Sequence, residues 1–158
     1  MNLNKIFKNF VLAGILVSAP LYPASIKTPR DLSNWLKNNF TYQWEDGEYW
    51  KTPEETVRDK GGDCEDFAIL SKKVLTDLGH RAYLTILMPK KKNDYGHAIC
   101  LFREKDKTYS VIDNQYYYPL KYKDWKDILD RFYSNYKKVY NCVDRDHCQK
   151  IYTIGEGK

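Results

Sequence analysis

Between residues 64 and 113 the hydrophobic pattern changes period once, and that change restricts the chain to folds in which a buried helix precedes a sheet. Phe67, Leu70, Val74 and Leu78 recur at steps of three and four, Ala68 and Leu75 widen the stripe, and Gly79 is placed to end it. This is the apolar face of a helix that begins around Asp63-Cys64. From Arg81 onward the period is two. Residues 81–88, 97–103 and 108–113 are rich in β-branched and aromatic side chains and predict strands. Their connections, 89–96 and 104–107, are short enough for antiparallel hairpins. Helices followed by an antiparallel sheet make an α+β order.

The flanking segments fit the same plan. Thr28-Pro29-Arg30-Asp31 opens a helix with a hydroxyl cap and a proline at its first position, and Leu32, Trp35 and Leu36 form its apolar face. Thr52-Pro53-Glu54-Glu55 opens a second, short helix with a capping box, and Gly61-Gly62 is expected to stop it. Residues 40–50, with aromatics amid Asp46-Gly47, read as a loop crossing the surface of a core. Residues 124–136 predict another helix, with Trp125, Ile128, Leu129 and Phe132 at helical spacing. Tyr116-Tyr117-Tyr118 would point alternately to the two sides of a strand, which suits packing at a sheet edge. No internal repeat or low-complexity linker divides the 158 residues.

The N-terminus reads as an export signal. Lys5 and Lys8 precede an apolar run from Phe10 to Val17, followed by Ser18, Ala19, Pro20, Pro23, Ala24 and Ser25. A basic start, a short apolar stretch and a small-residue exit are the parts of a secretory signal. The run is well short of the about 20 apolar residues that span a bilayer, so no stable membrane span is expected once it is removed. Residues 1–24 are therefore expected to be the signal and 25–158 the mature domain, periplasmic or secreted. Losing Lys5 and Lys8 takes 26 basic residues to 24 against 21 acids, a net charge of +3. That balance is too mild for a nucleic-acid binder, which carries a concentrated basic face.

Four cysteines remain. In an oxidising compartment Cys142 and Cys148 are expected to close a small disulfide loop through Val143-Asp144-Arg145-Asp146-His147. A zinc site built from Cys142, His147 and Cys148 is the alternative, against which the cysteine spacing counts. Cys64 follows Gly61-Gly62-Asp63 at the first turn of a helix, where free amide groups and the positive dipole end favour a thiolate. His97 opens a strand and Asp113 closes the next. Strand parity puts His97 with Ile99 and Leu101 on one face, and Asp113 with Tyr109 and Val111 on one face. Antiparallel pairing then brings His97 and Asp113 to the same end of the ladder. A carboxylate beside a histidine fixes its tautomer, and the imidazole activates a thiol. Cys100 falls on the other face from His97 and reads as a core cysteine.

Gly62-Asp63-Cys64-Glu65-Asp66-Phe67-Ala68, then Gly96-His97-Ala98, then Val111-Ile112-Asp113, resembles the signature of transglutaminase-like cysteine peptidases. The segment from Tyr49 to Glu55 also resembles the approach to the nucleophile in bacterial members. The resemblance runs over about residues 40–114. It implies a transglutaminase-like or papain-like core, with the Cys64 helix packed on an antiparallel sheet that carries His97 and Asp113. It also implies thiolate attack on a carbonyl, an acyl-enzyme, and transfer to water or an amine. The Cys64 amide is a natural oxyanion donor, with Gln43 or Trp44 as candidates for a second.

Asp63 and Glu65 flank the nucleophile. As caps they would complement the helix start. The chain also resembles periplasmic calcium-dependent proteases that cleave surface adhesins, a likeness implying calcium at Asp63 and Glu65. Further oxygens would then come from groups such as Asp46 and Glu48. Triad chemistry itself requires no cofactor. The expectation is an exported peptidase or amidase acting on a protein or peptide of the cell envelope. A transamidating crosslinker and a catalytically silent envelope binding module on the same fold are the competing readings.

Overall fold

The computed structural model describes residues 20–44, 47 and 49–156; the expected signal run before Pro20 and the acids Asp46 and Glu48 lie outside the described residues. Helix α1 (Pro29–Asn39) starts where its sequence directs: Thr28 caps it, and the Asp31 carboxylate reaches back to the Thr28 amide at 3.0 Å. Helix α2 (Pro53–Asp59) repeats the device with Thr52 and Glu55. It ends on Lys60, which takes the left-handed conformation at φ 52°. Gly61 and Gly62 are therefore not the helix stop expected of them. They form a two-residue strand, β2 (Gly61–Gly62), parallel to β1 (Thr41–Tyr42). The β1 half of that pairing lies within residues 40–50, the segment read from sequence as a loop. Close approach explains the glycines: a Cβ on Gly61 would lie 2.7 Å from the Thr41 carbonyl oxygen, and one on Gly62 would lie 2.6 Å from Asp66 Cβ.

Helix α3 (Cys64–Asp77) buries Phe67, Leu70, Val74 and Leu75 completely. It ends in a Schellman turn, with Gly79 at φ 87°, the Gly79 amide on Thr76 O and the His80 amide on Leu75 O, each at 2.9 Å. Six antiparallel strands follow: β3 (Arg81–Pro89), β4 (His97–Arg103), β5 (Tyr109–Asp113), β6 (Tyr116–Tyr122), β7 (Tyr136–Cys142) and β8 (Cys148–Thr153). Their order across the sheet is β6-β5-β4-β3-β7-β8. β6 lies at one edge, as the tyrosine run suggested, with Tyr116 and Tyr118 exposed.

Both faces of this sheet are covered. Ala98, Cys100, Phe102 and Ile112 meet α3 and its neighbours. Ile99, Leu101, Val111 and Val139 meet Ile128 and Leu129 of helix α4 (Trp125–Phe132) on the other side. Burial on two faces is why β4 is apolar without interruption from Ala98 to Phe102. α4 is shorter than the helix expected over 124–136. Ser134 and Asn135 turn the chain, the Tyr136 amide bonds to Tyr133 O at 2.9 Å, and Tyr136 then enters β7 beside Pro89. Leu21 and Tyr22, upstream of the expected domain start at residue 25, pack against the α3 core together with the buried Ile26. Among the described residues no helix is long and apolar enough to cross a membrane.

Candidate active site

The start of α3 is held by one carboxylate. Asp66 is fully buried; its Oδ1 accepts from the Lys51 amide at 2.7 Å, its Oδ2 from the Asp63 amide at 3.2 Å, and Lys51 Nζ lies 3.9 Å from Oδ2. These contacts tie Lys51 to the helix start. The β1–β2 pairing adds a second tie, with the Gln43 amide on Gly62 O at 2.9 Å. Local capping and a two-residue strand together bring residues 41–44 alongside Asp63 and Cys64.

Cys64 is 8% exposed. Its thiol donates to Glu65 Oε2 at 2.9 Å. The expectation of a thiol lowered by the helix start is corrected here. Burial pushes the Cys64 thiol well up, the Glu65 carboxylate pushes it further, and the Ala98 amide opposes both. The helix dipole is outweighed by burial first and by the neighbouring acids Glu65 and Asp63 after it. Cys64 thus lies against a carboxylate, in surroundings that favour the neutral thiol.

His97 and Asp113 stand together across the β4–β5 ladder. Asp113 is directly opposite Ile99, so His97 reaches it diagonally along one face, and His97 Nε2 lies 2.8 Å from Asp113 Oδ1. That bond leaves Nδ1 available on the other side of the ring. Tyr136 stacks on the imidazole, with centroids 6.2 Å apart and planes at 25°. The Tyr133 hydroxyl donates to the second Asp113 oxygen, Oδ2, at 2.8 Å. Neither tyrosine carried a sequence signal tying it to the site. A helix reading that continued to residue 136 put them on a helix flank, and only the turn after α4 brings them here.

Cys64 and His97 share a groove of about 580 Å³, whose walls include Trp44, Glu65, Met88 and Arg145. Trp44 stands edge-on to Tyr95 at 4.9 Å. Of the two expected oxyanion candidates, Trp44 lines the groove, whereas the Gln43 carboxamide lies against Gly61. Tyr42 is pushed up to about 12 by burial first, then by the charges of Cys64, Asp63, Glu65 and Asp113. One phenol therefore feels the expected nucleophile, both flanking acids and the expected orienting acid. Asp63 is pushed up to about 7, by burial first and then by Glu65 and Asp66. Its Oδ1 is buried without a hydrogen-bond partner among the described residues.

Cys100 lies in the α3-side core, fully buried and pushed up to about 12 by burial, as its strand parity indicated. Cys142 and Cys148 are joined in a disulfide that closes the β7–β8 hairpin, and Cys148 also touches the groove.

A family model described as a transglutaminase-like domain matches residues 16–141, most of the chain. The chain belongs to the transglutaminase-like domain family. Its transglutaminase-like fold has counterparts among solved structures. Legionella pneumophila LapG in a calcium-bound form is 24% identical at a TM-score of 0.52, the match covering 80% of this chain and 71% of that one. A second structure of Legionella pneumophila LapG is 19% identical at a TM-score of 0.45, with 80% and 65% covered. No curated protein matches the chain. In this transglutaminase-like frame Cys64 begins the central helix, and His97 and Asp113 occupy one end of the sheet beside it.

Proposed function

We propose that the protein is an exported cysteine peptidase or amidase in which Cys64 is the nucleophile, His97 the base and Asp113 the group that orients His97. The observation that carries this reading is the 2.8 Å bond from His97 Nε2 to Asp113, which commits one ring nitrogen and frees Nδ1 beside the groove that holds Cys64. His97 Nδ1 takes the proton from the Cys64 thiol, and the sulfur attacks the substrate carbonyl carbon. The oxyanion that forms is held by the Cys64 amide, with Trp44 as the candidate second donor and Gln43 the other. His97 returns the proton to the leaving amine, and the C–N bond breaks to give a thioester. Water then attacks the thioester as His97 takes its proton, which releases the acid product and restores the thiol. The substrate class is a protein or peptide, placed at the cell envelope by the export signal read over residues 1–24. The Cys142–Cys148 disulfide favours an oxidising compartment.

Calcium is compatible with the acids beside Cys64. Asp63 carries a buried oxygen without a partner among the described residues, next to the Glu65 carboxylate. Asp63 and Glu65 would hold the ion, with remaining oxygens from backbone or water. When bound it would neutralise the two acids that oppose thiolate formation. No cluster of three ligand side chains occurs among the described residues, so a metal here would depend on other donors.

The test is covalent labelling by a thiol-directed peptidyl acyl probe, followed by peptide hydrolysis and by amine incorporation into a glutamine donor. Labelling lost in Cys64→Ala, with hydrolysis and no amine incorporation, is the expected result. Amine incorporation would identify a crosslinker, and absence of labelling in folded wild type would leave a binding module.

A further inference from the structure

We propose that Tyr133 is a positioning residue for this reaction, fixing Asp113 so that His97 presents Nδ1 to the Cys64 thiol; the proposal rests on the triad reading above. Asp113 makes two bonds with its two oxygens, and they run to different parts of the fold. Oδ1 meets His97 Nε2 and Oδ2 meets the Tyr133 hydroxyl, both at 2.8 Å. A carboxylate held at one oxygen can swing about its terminal torsion, whose energy well is broad. A second bond fixes its plane, and with it the direction in which Oδ1 offers its lone pair to the imidazole.

Tyr133 is well placed to be rigid. It is the C-cap of α4, its amide bonded to Leu129 O at 3.0 Å, and α4 is anchored by the buried Ile128 and Leu129. Burial, the Asp113 charge and the hydrogen bond all push its phenol well up, which favours the neutral hydroxyl that donates to Oδ2. Tyr136, three residues on, stacks on the imidazole itself. One turn of chain thus contacts both members of the pair, from the side of the sheet opposite α3.

The experiment reads the nitrogen chemistry of His97 and the reactivity of Cys64, neither of which needs the natural substrate. In wild type, iodoacetamide is expected to alkylate Cys64 at a rate whose pH profile depends on His97, and ¹⁵N NMR to report His97 as the tautomer protonated at Nε2. Tyr133→Phe keeps the ring and removes the donor. It is expected to lower the alkylation rate near neutral pH on the order of tenfold, and to mix the His97 tautomers, with little change in melting temperature. An unchanged rate profile and an unchanged ¹⁵N pattern would overturn the positioning role. If instead His97→Ala leaves the wild-type profile intact, the triad reading is what fails. Should Tyr133→Phe not fold, 3-fluorotyrosine at this position, a stronger donor on the same ring, decides the matter. A shifted Cys64 profile supports the proposal and an identical one overturns it.

Discussion

Asp113 lies opposite Ile99 in the β4–β5 ladder, yet its Oδ1 is 2.8 Å from His97 Nε2, because residues two apart on a strand share a face. The orientation of the imidazole is thus built into the strand register.

The first prediction follows from that bond. Cys64→Ser and His97→Ala are expected to abolish detectable turnover of a peptide substrate while leaving thermal unfolding close to wild type. Asp113→Asn keeps the shape but disfavours the tautomer, and a loss of roughly 10³-fold or more in kcat is expected. Steady-state kinetics beside calorimetry checks this, and wild-type turnover by a folded Cys64→Ala would end the assignment.

A second prediction concerns Cys100 and alkaline pH. Its folded value of about 12 stands above the ordinary 9.0, so folding favours the neutral thiol. For a group raised in this way, the stabilising contribution is complete below the unfolded value and is lost as pH rises from about 9 toward 12. Wild type is therefore expected to lose melting temperature faster than Cys100→Ala between about pH 8.5 and about pH 10.5, a window around the ordinary value of 9.0. Mass spectrometry after alkylation of the native protein at pH 8 is expected to find Cys100 unmodified. Equal alkaline slopes in the two proteins would contradict the assignment.

Export and the disulfide are tested together. The mature chain is expected to begin between about residues 19 and 27. The packing of Leu21 and Tyr22 on the core favours the upstream end of that range. Intact mass before and after reduction is expected to reveal one bridge, Cys142–Cys148. Replacing both cysteines by serine is expected to cost about 2 kcal/mol, from the entropy of so short a loop. A mature chain that retains Met1 and has four alkylated thiols would refute both expectations.

The calcium prediction turns on Asp63 and Glu65. As caps alone they would each be worth on the order of 1 kcal/mol to the helix and be indifferent to metal. As ligands, they make activity fall on chelation and recover with added calcium in wild type but not in Asp63→Asn/Glu65→Gln. Isothermal titration of the chelated protein provides the direct check. No heat of binding, with activity unchanged by chelation, would leave only the capping role.

Much of this was legible locally. The capping pairs Thr28–Asp31 and Thr52–Glu55 start their helices as read, because a cap satisfies amides within three residues of itself. The stripe from Phe67 to Leu75 is buried as its spacing required, and the parity of Cys100 and His97 holds. What sequence alone determined is which way each side chain faces, since period and caps are properties of neighbouring residues.

Tertiary structure decided what lies across from them. β7 and β8 carry no local strand signal, because Tyr136-Lys137-Lys138-Val139 has no clear alternation and Cys148–Thr153 is a mostly exposed edge. β7 is a strand because β3, some fifty residues earlier, pairs with it from Leu84 to Pro89. Gly61-Gly62 became a strand for the same reason, through Thr41 and Tyr42. The contacts that shape the candidate site are likewise long-range: Tyr133 to Asp113 and Tyr136 on His97. No local period encodes them. They exist because long-range strand pairing and the packing of two helices on opposite faces of one sheet bring distant residues to the same end of it.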